Sequence, residues 1–246
     1  MRRIPFILIC TVAASARAHA EYVLTVYAGT SASARSDLRV RQSTTDSDAT
    51  FRDVGWEPRA FEDAPYYGVS FAWYPRAGTH WNASFDFTHY KMYLSTADIV
   101  HVQGRWNGAL VDEHGPVSAR ISTFEISHGV NLAAVNLGWR WPAAAPGGFL
   151  SRVAPEVGAG LAGYFPHAEG SINGVPGDAD YHLSGTGYQV FAGAEYRFSP
   201  RIGMVVRVKF DEGALDMTLS PQTRMETRTE TFHSLAGLAV HWGDQP

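Results

Sequence analysis

Cysteine is nearly absent from this chain: Cys10 is its only one in 246 residues, and it sits in an apolar N-terminal stretch. If that stretch is a leader, the remainder has no disulfide, no thiolate nucleophile and no thiolate metal ligand. No segment approaches the ~18 apolar residues that a membrane-spanning helix needs. Positive charge is also scarce, with 20 Lys and Arg against 24 Asp and Glu. That balance argues against nucleic acid as a partner. Internal repeats, low-complexity tracts and domain linkers are missing as well.

What is present begins with the leader. Arg2 and Arg3 form a basic start, Ile4 to Ala14 an apolar run, and Ala18-His19-Ala20 a small-residue cleavage pattern. The expectation is a secretory signal peptide over residues 1–20, cut before Glu21, with 21–246 as one domain. A lipoprotein acylation site at Cys10 is the weaker reading, because Ile9 is a poor small-residue partner. Loss of Arg2, Arg3 and Arg17 brings the formal charge to −7.

After residue 20 the chain alternates apolar and polar residues in about eight segments. In Trp81–Tyr90, Trp81, Ala83, Phe85 and Phe87 fall on one face, and Asn82, Ser84, Asp86 and Thr88 on the other. Period-2 alternation marks strands with one apolar face. The segments are Glu21–Thr30, Pro65–Tyr74, Trp81–Tyr93, Glu125–Trp141, Val153–Pro166, Gly185–Phe198, Ile202–Asp216 and Thr227–Trp242. Connections Ser31–Ala64, Leu94–Phe124, His167–Ser184 and Met217–Glu226 are long and polar, whereas the alternate ones are short. Exported strands joined by long and short connections in turn predict an all-β fold. It is an eight-stranded antiparallel up-and-down transmembrane β-barrel with long extracellular loops, in a bacterial outer membrane and monomeric.

Parity assigns the faces. Val135, Leu137, Val206, Leu238 and Val240 would meet lipid, and Trp73, Trp81, Trp139, Trp141, Tyr196, Phe198 and Trp242 would form a girdle at the periplasmic strand ends. Asp86, Arg140, Glu156, Glu195, Arg197, Arg207 and Lys209 fall inside, where ionised groups need partners and a salt-bridged core is the simpler reading. Eight strands enclose room for side chains only, so a diffusive pore is excluded.

Function is then expected at the outer rim. His89 ends the third strand, His128 and Asn131 open the fourth, and His167 and Glu169 follow the fifth. A single rim histidine is ordinarily a polar interface residue; three on neighbouring strand ends with acids beside them suggest a site. Strict parity sets His89 on the lipid side and His128 with the interior, so a shared site would need a bulge. Tyr66 and Tyr67 read as substrate contacts or as an outer aromatic belt. Lys91 and Lys209 read as contacts to lipid phosphates.

The set Phe61-Glu62-Asp63-Ala64-Pro65-Tyr66-Tyr67-Gly68, Asp86-Phe87-Thr88-His89-Tyr90-Lys91 and Ser127-His128-Gly129-Val130-Asn131, with Trp56, resembles rhizobial lipid A oxidase and its relatives. The likeness extends through Ala159-Gly160, Pro166-His167 and Val208-Lys209-Phe210 and leaves residues 32–52 and 94–122 outside. It implies O2-dependent oxidation of the proximal glucosamine of lipid A to 2-aminogluconate, with H2O2 formed. His89, His128, Asn131, His167 and Glu169 match as catalytic positions. Side chains lack an electron sink, so a cofactor should carry that step. No Gly-x-Gly-x-x-Gly fingerprint opens a helix, which disfavours a flavin or nicotinamide site. A divalent or redox metal held by His128 and His167 is the economical remainder. Two rivals stay open: a non-catalytic barrel that binds through its long loops, and a lipid A deacylase built on Ser127, His128 and Glu125. The expected partners are lipopolysaccharide and membrane lipid.

Overall fold

The structure, a computed structural model, describes residues 20–62, 64–76, 78–142 and 148–243. The expected leader up to His19, with Cys10, lies outside the described residues, as does Asp63. Seventeen strands follow in order: β1 Glu21–Ser33, β2 Ser36–Gln42, β3 Ser47–Val54, β4 Trp56–Glu57, β5 Tyr67–Tyr74, β6 Trp81–His89, β7 Met92–Leu94, β8 Ile99–Trp106 and β9 Ala109–Pro116. Then come β10 Ile121–Ile126, β11 Leu132–Arg140, β12 Val153–Tyr164, β13 Glu169–Ile172, β14 Val175–Asp178, β15 Gly185–Arg197, β16 Ile202–Ser220 and β17 Thr223–Gly243.

Eight of them form a ring in the order β1-β5-β6-β11-β12-β15-β16-β17. Every neighbour is antiparallel, and β17 pairs back onto β1 from Glu21↔Gly243 to Ser33↔Thr231, which closes the barrel. Closure leaves no free edge in the ring. Alternation decides which way each strand faces. Phe85, Val135, Leu137, Leu161, Val206 and Leu238 lie exposed on the outer wall, while their sequence neighbours Ser84, Asp86, Asn136, Arg207 and Ala239 are buried inside.

The interior is filled with paired polar groups. Arg207 donates to Glu156 Oε1 from Nε at 2.9 Å and from Nη2 at 2.7 Å, and its Nη1 lies 3.7 Å from Asp86. At the end with the short turns, Glu21 accepts from Arg140 at 2.5 Å and from Arg197 at 3.3 Å. His241 bridges Glu21 at 2.8 Å and Glu195 at 2.5 Å. At the opposite end His233 joins Tyr66 at 2.9 Å to Asp211 at 2.5 Å, and Tyr164 donates to the same carboxylate at 2.8 Å. Each buried charge thus has an opposite charge or hydrogen bond, as its desolvation requires.

Two sequence expectations need correction. The long connections are largely β-structure: β16 and β17 run beyond the ring, and β2, β3, β8 and β9 add to them in one continuous sheet. A second sheet, β14-β13-β10-β7-β4, lies against it. Leu38, Val40, Phe51, Val102, Ile121, Ile126, Ile172 and Met217 are buried in the apolar cluster that these sheets share with the barrel. The connections read as loops because their apolar residues are spaced among many Asp, Ser, Thr and Arg, which face water on the sheets' outer sides. The second correction concerns strands three and four. The segment Trp81–Tyr93 is broken after His89 into β6 and β7, and Glu125–Trp141 is two elements, β10 and β11, separated by a turn in which Gly129 (φ 94°) and Asn131 (φ 48°) adopt left-handed backbone.

Arg207→Ala should leave Glu156 without its cation, Asp86 keeping Gln189 and the nearby Lys209, and weaken the barrel by about 3–5 kcal/mol. Phe51→Ala should cost the two-sheet cap a similar ~3–5 kcal/mol and leave the ring closed. Urea titration read by heat-modifiable gel migration reports the first, and proteolysis within residues 36–54 reports the second.

Candidate functional site at the rim

Three barrel strands stop along one line. β6 ends at His89, β12 ends at Tyr164, and β11 starts at Leu132; beyond that line the chain re-forms as β7, β13 and β10 of the second sheet. The site residues occupy these breaks. Asn131 pins them: its Nδ2 lies within reach of the carbonyls of His128 (3.3 Å), Gly129 (3.2 Å) and Phe165 (3.2 Å), its two N–H groups serving three acceptors with one bond shared. Three carbonyl acceptors fix which end of the amide is nitrogen, so Oδ1 accepts from His89 Nδ1 at 2.9 Å. His89 Nε2 is buried without a well-aligned hydrogen bond, the Ala64 backbone being its polar neighbour. A Cβ on Gly129 would lie 2.2 Å from His89 Nδ1, so the close approach of turn and ring requires glycine there.

His128 and His167 meet edge to face with ring centres 4.8 Å apart. Glu169 Oε1 lies 3.0 Å from His128 Nδ1 and 3.4 Å from His167 Nδ1, and Asp178 Oδ1 lies 3.2 Å from His167 Nε2. His128, His167 and Glu169 each offer a ligand atom within 4.8 Å of the others. No other trio of His, Asp or Glu among the described residues converges as closely. Two imidazoles and a carboxylate suit a divalent transition metal and leave coordination positions open. Beside the trio is an open groove of about 520 Å³ lined by Tyr67, Phe87, His89, His128, Phe165 and Tyr181, among others. Phe87 and Tyr67 stand on the outer wall, so the groove faces outward from the ring. Tyr181 donates to the His128 carbonyl at 3.2 Å, and desolvation pushes its phenol above the usual range.

His89, His128, Asn131, His167 and Glu169 are therefore brought together, without a bulge. The parity that set His128 with the interior fails because His128 lies in a turn. Tyr67 stacks on His89 with ring centres 4.9 Å apart and reaches the groove. Three expected substrate contacts do not. Tyr66 and Lys209 are buried inside the barrel, where Lys209 donates to Thr88, and Lys91 is buried with Nζ 2.9 Å from the Glu62 carbonyl. The run Gly158-Ala159-Gly160-Leu161-Ala162-Gly163 spells a nucleotide fingerprint yet lies within strand β12, with no helix to follow it. Sequence reasoning missed Asp178 and Tyr181. Tyr181 is the lone aromatic of an otherwise polar connection, 167–184, and that was its available signal.

No protein-family model matches the chain, and no curated protein matches it in sequence. Among solved structures, the outer membrane protein OprG from Pseudomonas aeruginosa is similar at 10% identity and a TM-score of 0.44, over 92% of this chain and 96% of that one. Neisserial surface protein A gives 12% identity and a TM-score of 0.39, over 90% and 97%. The outer membrane protein AlkL gives 12% and 0.42, over 92% and 91%.

Asn131→Ala should take the side-chain donor from the Phe165 carbonyl and leave the His128 and Gly129 carbonyls to Tyr181 and the His167 N–H alone, costing on the order of 1–3 kcal/mol. Hydrogen exchange should then speed up at residues 127–131 and 165–168 while the strands of the ring stay protected.

Proposed function

We propose that this protein spans a bacterial outer membrane and oxidises lipid A at its outer rim. The observation that carries the reading is the His128–His167–Glu169 trio beside a groove whose aromatic side opens onto the apolar outer wall. An apolar wall above a ring of Trp73, Trp81, Trp139, Trp141 and Trp242 fits a bilayer, with the short turns on the periplasmic side. The rim then lies at the height of the lipid A sugars. A substrate can keep its acyl chains in the membrane while its headgroup enters the groove.

The proposed reaction takes a hydride equivalent from C1 and a proton from the anomeric hydroxyl of a free hemiacetal. O2 accepts two electrons and two protons and leaves as H2O2; water then opens the lactone to 2-aminogluconate. His89, held by Asn131, is the candidate proton acceptor at Nε2, and Tyr67, Phe87 and Phe165 would exclude water from the sugar's apolar side. His128, His167 and Glu169 would hold a redox-active divalent metal, which when bound would supply the path for electrons to oxygen. Because it is anchored by backbone hydrogen bonds rather than by the histidines, the rim should survive their loss.

Mass spectrometry of lipid A from cells with and without the protein tests the reading. A gain of one oxygen atom on a 1-dephosphorylated species is expected. His128→Ala and His167→Ala should each abolish that gain with barrel folding retained, and chelation followed by metal readdition should remove and restore it. Full activity in both variants would overturn the site.

A non-catalytic binding barrel is the second reading, favoured by the size and order of the two-sheet cap. Its outer face carries cross-strand pairs such as Arg39–Asp48 at 2.8 Å and Arg224–Asp216, a surface suited to polar partners. The deacylase reading has one feature in its favour, Ser127 Oγ at 3.2 Å from His128 Nδ1. Glu169 approaches that same nitrogen, so the ring cannot relay between acid and serine through its two nitrogens.

A further inference from the structure

A second histidine pair lies in the cap, on the β8–β9 hairpin that ends the larger sheet. His101 and His114 are direct cross-strand partners. Their rings stack at 4.8 Å with an interplanar angle of 19°. Asp112, two residues from His114 on the same strand face, lies with Oδ1 2.6 Å from His101 Nε2. We propose that His101 and His114 bind a late first-row divalent cation, with Asp112 orienting His101 from outside the coordination shell.

The chemistry follows from which nitrogen is engaged. In the neutral ring, the His101 Nε2–H donates to Asp112, which leaves the lone pair on Nδ1 for a metal. A carboxylate behind a ligating histidine fixes its tautomer and raises its basicity. That role explains why the aspartate need not converge with the imidazoles for the pair to bind an ion. Directly opposed residues on antiparallel strands hold their Cβ atoms about 4.5–5.5 Å apart. Rotation of the exposed His114 ring about Cβ–Cγ can therefore turn one of its nitrogens toward an ion on His101 Nδ1, with the Asp112 bond kept and the backbone unmoved. The free side of the hairpin leaves the other coordination positions to water or to an incoming group. Copper(II), which binds imidazole most strongly among these ions, is the sensitive probe.

The pair owes nothing to the rim trio, and its test separates the two. Tag-free full-length protein, purified in detergent, is titrated with Cu²⁺ alone and followed by electron paramagnetic resonance. Wild type should show nitrogen-ligated copper with a component that disappears in His101→Ala/His114→Ala and persists in His128→Ala/His167→Ala. Asp112→Asn should weaken that component about 10-fold or more. All three variants alter exposed or rim positions, and heat-modifiable migration verifies their barrels. An unchanged spectrum in His101→Ala/His114→Ala, or no copper component beyond the one removed by His128→Ala/His167→Ala, would overturn the proposal.

Discussion

The line along which β6, β11 and β12 stop being barrel strands is the constraint on which the candidate site depends. If those strands continued straight, as β16 and β17 do, His89 and His128 would follow the pleat onto fixed faces of the sheet. Instead the ladder breaks, and its freed carbonyls must find donors. One asparagine amide serves three of them and uses its remaining oxygen on His89. The same residue thus satisfies the backbone at the break and sets the orientation of a histidine beside the groove. Backbone repair and site geometry are one arrangement, so neither can drift without the other.

Two kinds of burial meet at this line. Below it, the ring buries polar and ionic groups, with Arg207, Glu156 and Asp86 in its middle and Asp211 receiving Tyr164, Tyr90 and His233 near its top. Above it, the cap buries aliphatic and aromatic side chains between sheets. A chain with an inverted lower half and an ordinary upper half needs a boundary that tolerates both, and polar aromatic residues supply it. Tyr66, Tyr90 and Tyr164 each place a ring among apolar neighbours and a hydroxyl on the ionic cluster.

The barrel was legible because alternation over long segments leaves few other solutions, and exposed Val206, Leu238 and Val240 sit where parity put them. The trio at the rim was legible as a coincidence of histidines at strand ends. The cap was not, since β8 and β9 carry charged residues on their wet face, and the cap strands β2 and β8 pair with β17 and β3, far away in sequence. Parity placed Lys209 inside correctly, and only its reading as a phosphate contact failed; Tyr66 misled because a tyrosine near a strand end reads the same whether it points to headgroups or to His233 inside. The turn at Gly129 and Asn131 was written in the sequence as a Gly and an Asn two residues apart, a left-handed signal hidden within an apolar run.

The most direct test of an oxidase at the rim follows the oxygen atoms. Purified protein in vesicles is given 1-dephosphorylated lipid A in ¹⁸O-labelled water under unlabelled O2, and product mass and peroxide are measured together. The account predicts one ¹⁸O atom gained per oxidised lipid and one H2O2 released with it, because O2 takes electrons while water opens the lactone. Product whose gained oxygen is unlabelled, or no product from a folded protein supplied with metal and O2, would contradict it.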